Sequence, residues 1–368
     1  MFPIIFSLIL LTIYIPLILL GIFMPAFTKD TLLFGVVIPE DQSKSDKVRK
    51  IRRDYTTNCS LSVLIISIMV SGIALRYQNI DMLLVGLIIL LITFTINYLY
   101  VHHKAKKLKR SERWTDYKKQ VVVVNTSHSF DKGMGLTYYW LIPVFVLLIT
   151  FITTMIHYSD LPQQIPYRFN ILGDPLNYRD TGFWSVYLIP ITQGVMTGIF
   201  YGIYVMLKRA KTSIQASRPE KSIKQNKIAK HYWAKYTLIT NSILNLYLMY
   251  IQLMILAIIS PTVTANAFFH ILGVSVPVLG AVIIAMKTGQ SGSRIKVEEN
   301  EEMNAHVIDK DDDRYWKWGL IYYNRQDPTL FIEKRFGVGW TLNFGHPLGL
   351  IALLATVIIV IISFVFFM

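Results

Sequence analysis

The sequence predicts an all-α polytopic membrane protein of about eight transmembrane helices, with N and C termini outside and a small cytoplasmic β-containing element. Three observations predict it. Of 368 residues, 53% are hydrophobic and only 16% are charged, against about 25% charged in soluble domains. Apolar runs of about 20 residues, the length that crosses the hydrocarbon core, recur along the chain. Basic residues alternate between the segments joining these runs: of 37 Lys and Arg, only Arg76, Arg168 and Arg179 fall outside every second loop. Lys and Arg accumulate in cytoplasmic loops, so the alternation orients the chain and makes the number of spans even.

The apolar runs are 2–27, 59–77, 81–101, 137–156, 183–207, 236–259, 267–286 and 348–367. The first lacks a basic start and is too long for the apolar core of a cleaved signal, so it reads as a retained span. The net charge of +14 is then mainly topological. It makes the anionic inner leaflet a partner and argues against nucleic acid. The single cysteine, Cys59, excludes a disulfide within the chain and a cysteine metal site. The organisation reads as a three-span region with basic loops (1–136), a two-span unit carrying an external loop (137–207), a basic loop plus two spans (208–286), a cytoplasmic aromatic module (287–347) and a last span (348–368).

The cytoplasmic segments carry their own patterns. Residues 30–39 and 118–127 contain β-branched runs ended by turn residues. Residues 319–336 read as strand, turn, strand, with Asp327 and Pro328 at the turn. That hairpin is expected to pack against Leu32–Ile38 and to cover the aromatic side chains of the module: Trp316, Trp318, Tyr322, Phe331 and Trp340. The basic runs 43–55 and 101–119 read as helices lying on the inner leaflet. An acidic stretch from 297 to 314 reads as including a flexible linker.

The sequence shows no catalytic motif, so neither an enzyme nor a cofactor is expected. The adjacent His102 and His103 do not share a helix face and read as an interfacial cap. Asp311, Asp312 and Asp313 read as a solvated charge run rather than a divalent-ion site. Asn241, Asn245 and Gln252 form one stripe of the sixth span, with Gln193 as a further amide. They read as glue between helices, or as a ligand pathway. No Asp, Glu, Lys or Arg lies near the middle of a span, which argues against an ion-coupled transporter. Gly194, Gly198 and Gly202, four apart, predict close approach of another helix.

The one sizeable external segment is DLPQQIPYRFNILGDPLNYRDTG, residues 160–182. Pro162 and Pro166 fix φ and restrict their predecessors, and Gly173-Asp174-Pro175 supplies a tight turn. Such a stiff loop suits either ligand contact or a structural lid. Its Leu161, Pro162, Ile165, Pro166, Phe169, Gly173 and Asp174 resemble the motif of a bacterial family known as domain of unknown function 1648, to which SdpI-type immunity and signalling proteins belong. That family often has His where Arg168 stands. The segment 311–347 resembles a second module, domain of unknown function 5808, over Asp313–Trp318, Tyr322–Asn324, Asp327-Pro328 and Glu333–Pro347. The first resemblance implies a multi-pass protein of a bacterial, Gram-positive cell membrane. It implies protection against a secreted peptide toxin outside, or sensing of that toxin and tethering of a regulatory protein inside. Its recognition residues would be the loop residues just named together with Arg168. The competing expectation is a transport accessory or permease component using the Asn241, Asn245 and Gln252 stripe.

Overall fold

The computed structural model describes residues 6–7, 9–79, 81–114, 119–121, 135–170, 173–210, 213–298, 304, 307–351 and 353–354. Seven helices among them are long and apolar enough to cross a membrane: α1 (Leu10–Phe27), α2 (Asp46–Tyr77), α3 (Asp81–Glu112), α4 (Thr137–Asp160), α5 (Phe183–Arg209), α6 (Pro219–Ile255) and α7 (Val263–Gly292). The chain is thus a polytopic integral membrane protein. The greater part of the eighth expected span, 348–367, lies outside the described residues, as do 122–127 and, in the acidic stretch, 299–303 and 305–306.

The chain forms two compact units, each assembled from separated stretches. The first comprises Met1–Pro16, His128–Lys208 and His231–Ile284. It holds α4, α5, most of α6 and α7, together with a β-hairpin of β4 (Gln164–Phe169) and β5 (Pro175–Asp180). Two glycines let α6 and α7 approach: a Cβ at Gly273 would lie 2.5 Å from the Tyr247 ring, and one at Gly280 would lie 3.1 Å from Tyr236. The expected packing glycines differ. Among the described residues a Cβ at Gly194 would only reach Leu147 at 3.9 Å, and at Gly198 and Gly202 there is open space. Small residues permit close approach, but the larger neighbours on each helix decide which face is used.

The second unit comprises Leu17–Ser127, Arg209–Lys230 and Ala285–Met368. Its frame is the antiparallel pair α2 and α3, joined where Gln78 takes a left-handed φ of 48°. Each is 32 residues long, about 48 Å at 1.5 Å per residue, against a hydrocarbon core of about 30 Å. The basic runs at 46–55 and 101–112 are continuous with the spans, not separate helices lying on a leaflet. Nothing breaks either helix there: neither run contains proline or glycine.

The strands of this unit are short. β1 (Leu32–Leu33) pairs with β2 (Val36–Val37), and β3 (Lys119–Val121) runs parallel to β6 (Val307–Asp309). The predicted 319–336 hairpin is not formed. Instead β8 (Ile321–Tyr322) pairs back with β7 (Trp316–Lys317), and β9 (Phe331–Glu333) pairs forward with β10 (Trp340–Leu342). The reason lies in Asn343, which is fully buried. Its side chain accepts from the Asn324 and Gly345 amides and donates to the Asn324 and Asp327 carbonyls. These four bonds hold residues 324–327 as a loop and keep β8 and β9 apart.

Between β1 and β2 the chain turns through Phe34 (φ 46°) and Gly35 (φ 82°), the left-handed pair that a tight hairpin requires. Gly35 lies so close to its neighbours that an added Cβ would sit 2.7 Å from the Tyr98 hydroxyl and 2.8 Å from the Gly319 backbone. Gly35→Ala is therefore expected to destabilise the protein by about 1–3 kcal/mol. Gly198→Ala, facing open space in a helix, is expected to be neutral or stabilising by up to about 1 kcal/mol. Thermal unfolding of the purified variants in detergent reads both. Destabilisation by Gly198→Ala would show that a further helix packs there.

Candidate functional site

The 160–182 segment is a hairpin with two unlike faces. Its root is set by Ile165, fully buried among Val186, Tyr187, Ile255 and Leu256, with Leu161 and Phe169 packed beside them. Around Ile165 the ladder pairs Gln164 with Asp180, Ile165 with Arg179 and Pro166 with Tyr178, before bulges near Arg168. At the tip, Asn170 and Asp174 exchange backbone and side-chain hydrogen bonds at 2.8–2.9 Å. Gly173, at φ 95°, seats the tip: a Cβ there would lie 2.5 Å from both Asn266 and Pro261. Ser185 closes the base by accepting from the Gly182 amide at 2.8 Å, at the start of α5.

The predicted loop residues therefore divide. Leu161, Ile165, Phe169 and Gly173 turn inward, while Pro162, Arg168 and Asp174 are exposed and Pro166 is half-buried. The sequence argument missed the opposite face. Leu176 is 58% exposed, Tyr178 57% and the nearby Trp184 73%. The alternation Leu176-Asn177-Tyr178 is the local signal for this strand.

Beneath the hairpin root, in the same unit, runs a seam of neutral polar side chains. Gln252 donates to Thr154 and to the Val186 carbonyl, both at 3.0 Å. Gln193 donates to the Asn245 carbonyl at 2.9 Å and to Thr150 at 3.3 Å. Asn245 donates to Thr197 at 3.0 Å and to Asn241. Asn241, Asn245 and Gln252 are thus brought together with α4 and α5 through residues that single-helix reasoning had not joined to them. Among the described residues the amide oxygens of Gln193, Asn245 and Gln252 have no hydrogen-bond partner. Between α6 and α7, the Tyr247 hydroxyl lies 2.9 Å from Nδ1 of His270, an ionisable group inside a span.

In the second unit an ionic cluster organises the aromatic module. Arg335, 6% exposed, pairs with Asp312 and Asp313, donates to the Gly35 carbonyl at 3.0 Å and lies over the Trp316 ring. Lys109 of α3 reaches Asp313 at 2.6 Å and Asp311 at 2.9 Å. The three aspartates expected to be solvated are instead the counter-charges of buried cations. Burial pulls the Arg335 guanidinium down to about 9, against the opposing pull of Asp311. Burial raises the Asp313 carboxyl despite Lys109, and also acts on Asp311, where Lys109 prevails and holds it below the ordinary range. A second buried pair, Lys29 with Glu333 at 3.2 Å, borders a cavity of about 210 Å³.

The aromatic residues of the module separate. Trp316 and Tyr322 are buried, Phe331 and Trp340 are half-buried, and Trp318 stays 65% exposed. Contact with Leu32–Ile38 runs through Phe34 against Phe336, Arg335 to Gly35 and Asp313 to the Val37 amide. His102 is bound to the Phe34 carbonyl at 2.7 Å, while His103 is exposed.

Fold and site together define a polytopic membrane protein that carries a β-hairpin between two spans and a compact aromatic module beside others. Two family models match. One, described as a domain of unknown function (DUF1648), covers residues 145–194, which are the end of α4, the hairpin and the start of α5. The other, described as a family of unknown function (DUF5808), covers residues 325–350, from the Asn343-bound loop through β9 and β10. Neither a curated protein nor a solved structure matches the chain.

Replacing Arg335 by Met removes the buried cation paired with Asp312 and leaves Asp313 with Lys109 as its remaining counter-charge. The expected loss is about 3 kcal/mol, the lower end for breaking a buried pair, since both carboxylates keep some solvent contact. Adding Asp312→Asn and Asp313→Asn to Arg335→Met should recover part of it. Arg335→Lys should not substitute, because an ammonium lacks the planar fork. Denaturation midpoints of the four proteins check this. Equal stability of Arg335→Met and wild type would contradict it.

Proposed function

We propose that this chain is a non-enzymatic membrane protein of envelope defence or sensing, of the peptide-toxin immunity and signalling type, in a bacterial cell membrane. The observation that carries the reading is the hairpin: one face is anchored by Ile165 and Gly173, and the other offers Leu176 and Tyr178 to a ligand, with Trp184 exposed at the start of α5. A pre-ordered surface loses little entropy on binding, and exposed aromatic residues are the usual anchors of recognition. The matched DUF1648 region covers this hairpin. The alternation of basic loops supports an external hairpin and a cytoplasmic aromatic module. In that orientation the exposed cations at the ends of α2 and α3 face the anionic leaflet and a regulatory protein inside.

A strain lacking the gene, challenged with a panel of envelope-active peptides, tests the role. Heightened sensitivity to at least one, restored by the wild-type gene, is expected. Unchanged sensitivity across the panel would sink it. For orientation, cysteine at Gln164 should react with an impermeant thiol reagent in intact cells, whereas cysteine at Lys227 should react only after permeabilisation. Both positions are exposed. The reverse order would overturn the orientation.

The unpartnered oxygens of Gln193, Asn245 and Gln252 favour a second reading, a polar path of a permease component. The amide N–H groups spent on helix backbone and threonine hydroxyls support structural glue instead. Substituting Asn241, Asn245 and Gln252 by Leu separates the two. Lost stability with retained peptide resistance supports glue, and a stable but inactive protein supports a path.

A further inference from the structure

We propose that the outer edge of β5 takes up an extended, cationic peptide as a third strand. This deepens the reading of the hairpin as the recognition element and rests on it. The ladder register identifies which backbone groups are free. The Thr181 amide donates to the Gln163 carbonyl at 2.8 Å, and Ile165 stands opposite Arg179. Hydrogen-bonded and non-hydrogen-bonded pairs alternate in an antiparallel ladder. Arg179 therefore turns its amide and carbonyl toward β4, and Tyr178 and Asp180 turn theirs away from it.

The same alternation turns Gln164 and Pro166 away on the other strand. Proline has no N–H, so the outer edge of β4 lacks a donor at its centre, the usual way a sheet edge is closed to further pairing. The outer edge of β5 has no such block after Pro175. Among the described residues β5 pairs with β4 alone, and nearly all of its residues are exposed. One edge of this two-stranded sheet is closed and the other is open.

Charge selects the occupant. Exposed carboxylates stand at both ends of the open edge, Asp174 before it and Asp180 at its end. The cation within β5, Arg179, is folded over the Tyr167 ring at 4.6 Å, and Arg168 belongs to β4. Between the carboxylates the exposed side chains are Leu176, Asn177 and Tyr178. An added strand gains affinity from main-chain hydrogen bonds and specificity from alternate side chains. Here that specificity fits apolar residues at the centre and basic residues toward the ends, over the roughly 20 Å that six strand residues span.

The test uses the full chain in nanodiscs of neutral phosphatidylcholine, so that the lipid does not attract the probe. The probe is a biotinylated octapeptide alternating valine and lysine. It is compared with the same peptide N-methylated on alternate amides in either register, and with a peptide carrying glutamate for lysine. Tyr178→Pro removes an outward N–H without removing a bond to β4, and Tyr178→Val retains that N–H. The parent peptide should bind. One N-methylated register and the glutamate peptide should each weaken binding by at least about tenfold, and Tyr178→Pro should bind at least about tenfold more weakly than Tyr178→Val, which loses the same ring but keeps the outward N–H. Equal binding by the parent and both N-methylated peptides would overturn the proposal, as would no binding of the parent. If Tyr178→Pro unfolds, the N-methylated peptides on wild-type protein still decide. Probe binding without any protection of cells would count against the immunity role alone. Protection that Tyr178→Pro leaves intact, in a folded protein, would count against the edge alone.

Discussion

A backbone or side-chain polar group inside hydrocarbon has no water to turn to, so each must find its partner within the protein. The rest of this structure depends on that constraint. The two units meet it with different chemistry. The first uses only neutral groups along the seam of α4, α5 and α6, where amides of Gln193, Asn245 and Gln252 donate to threonine hydroxyls and helix carbonyls. The second places its polar partners beside the spans, in the cluster of Arg335, Asp312, Asp313 and Lys109. Charge is affordable there because each ion is paired and hydrogen-bonded, whereas an unpaired ion in the first unit's seam would face a desolvation cost of several kcal/mol.

The hairpin is built on the same logic. A two-stranded sheet is marginal by itself, and this one is held by what it stands on. Ile165 plugs the root into the ends of α5 and α6, and the backbone of Gly173 closes on Asn266 and Pro261. Anchoring one face leaves the other free of structural duty, which is why Leu176 and Tyr178 can remain exposed without loss of the fold. In the second unit the β1–β2 turn has the opposite fate. Phe34 is enclosed by Tyr55, Tyr98 and Phe336, and its carbonyl accepts from Tyr98 and approaches His102. Its exposed potential is fully used in packing.

The apolar spans, their spacing and the amide stripe of α6 were legible in the sequence, because each rests on local pattern: length against bilayer thickness, or three residues on one helix face. The two family-like segments were legible as motifs. What sequence reasoning put wrongly are the points where a distant partner decides. Residues 319–336 carry good strand signals, yet Asn343 binds the intervening loop and sends each strand to another neighbour. Asp311 to Asp313 have the composition of a solvated run, and only the arrival of Arg335 and Lys109 makes them internal counter-charges. The glycines of α5 have the spacing of a packing face, but in that unit Gly273 and Gly280 of α7 meet a neighbouring helix more closely.

By itself, then, the sequence determined that this chain enters a membrane, how many apolar segments it offers, and which amides share a helix face, since hydropathy and the 3.6-residue period act within one segment. Only the tertiary structure decided which strand meets which, which face of the 160–182 hairpin is anchored and which is open, and which charges are buried. Those outcomes depend on pairings between residues far apart in the chain, and a strand or a carboxylate carries no local mark of the partner that will satisfy it.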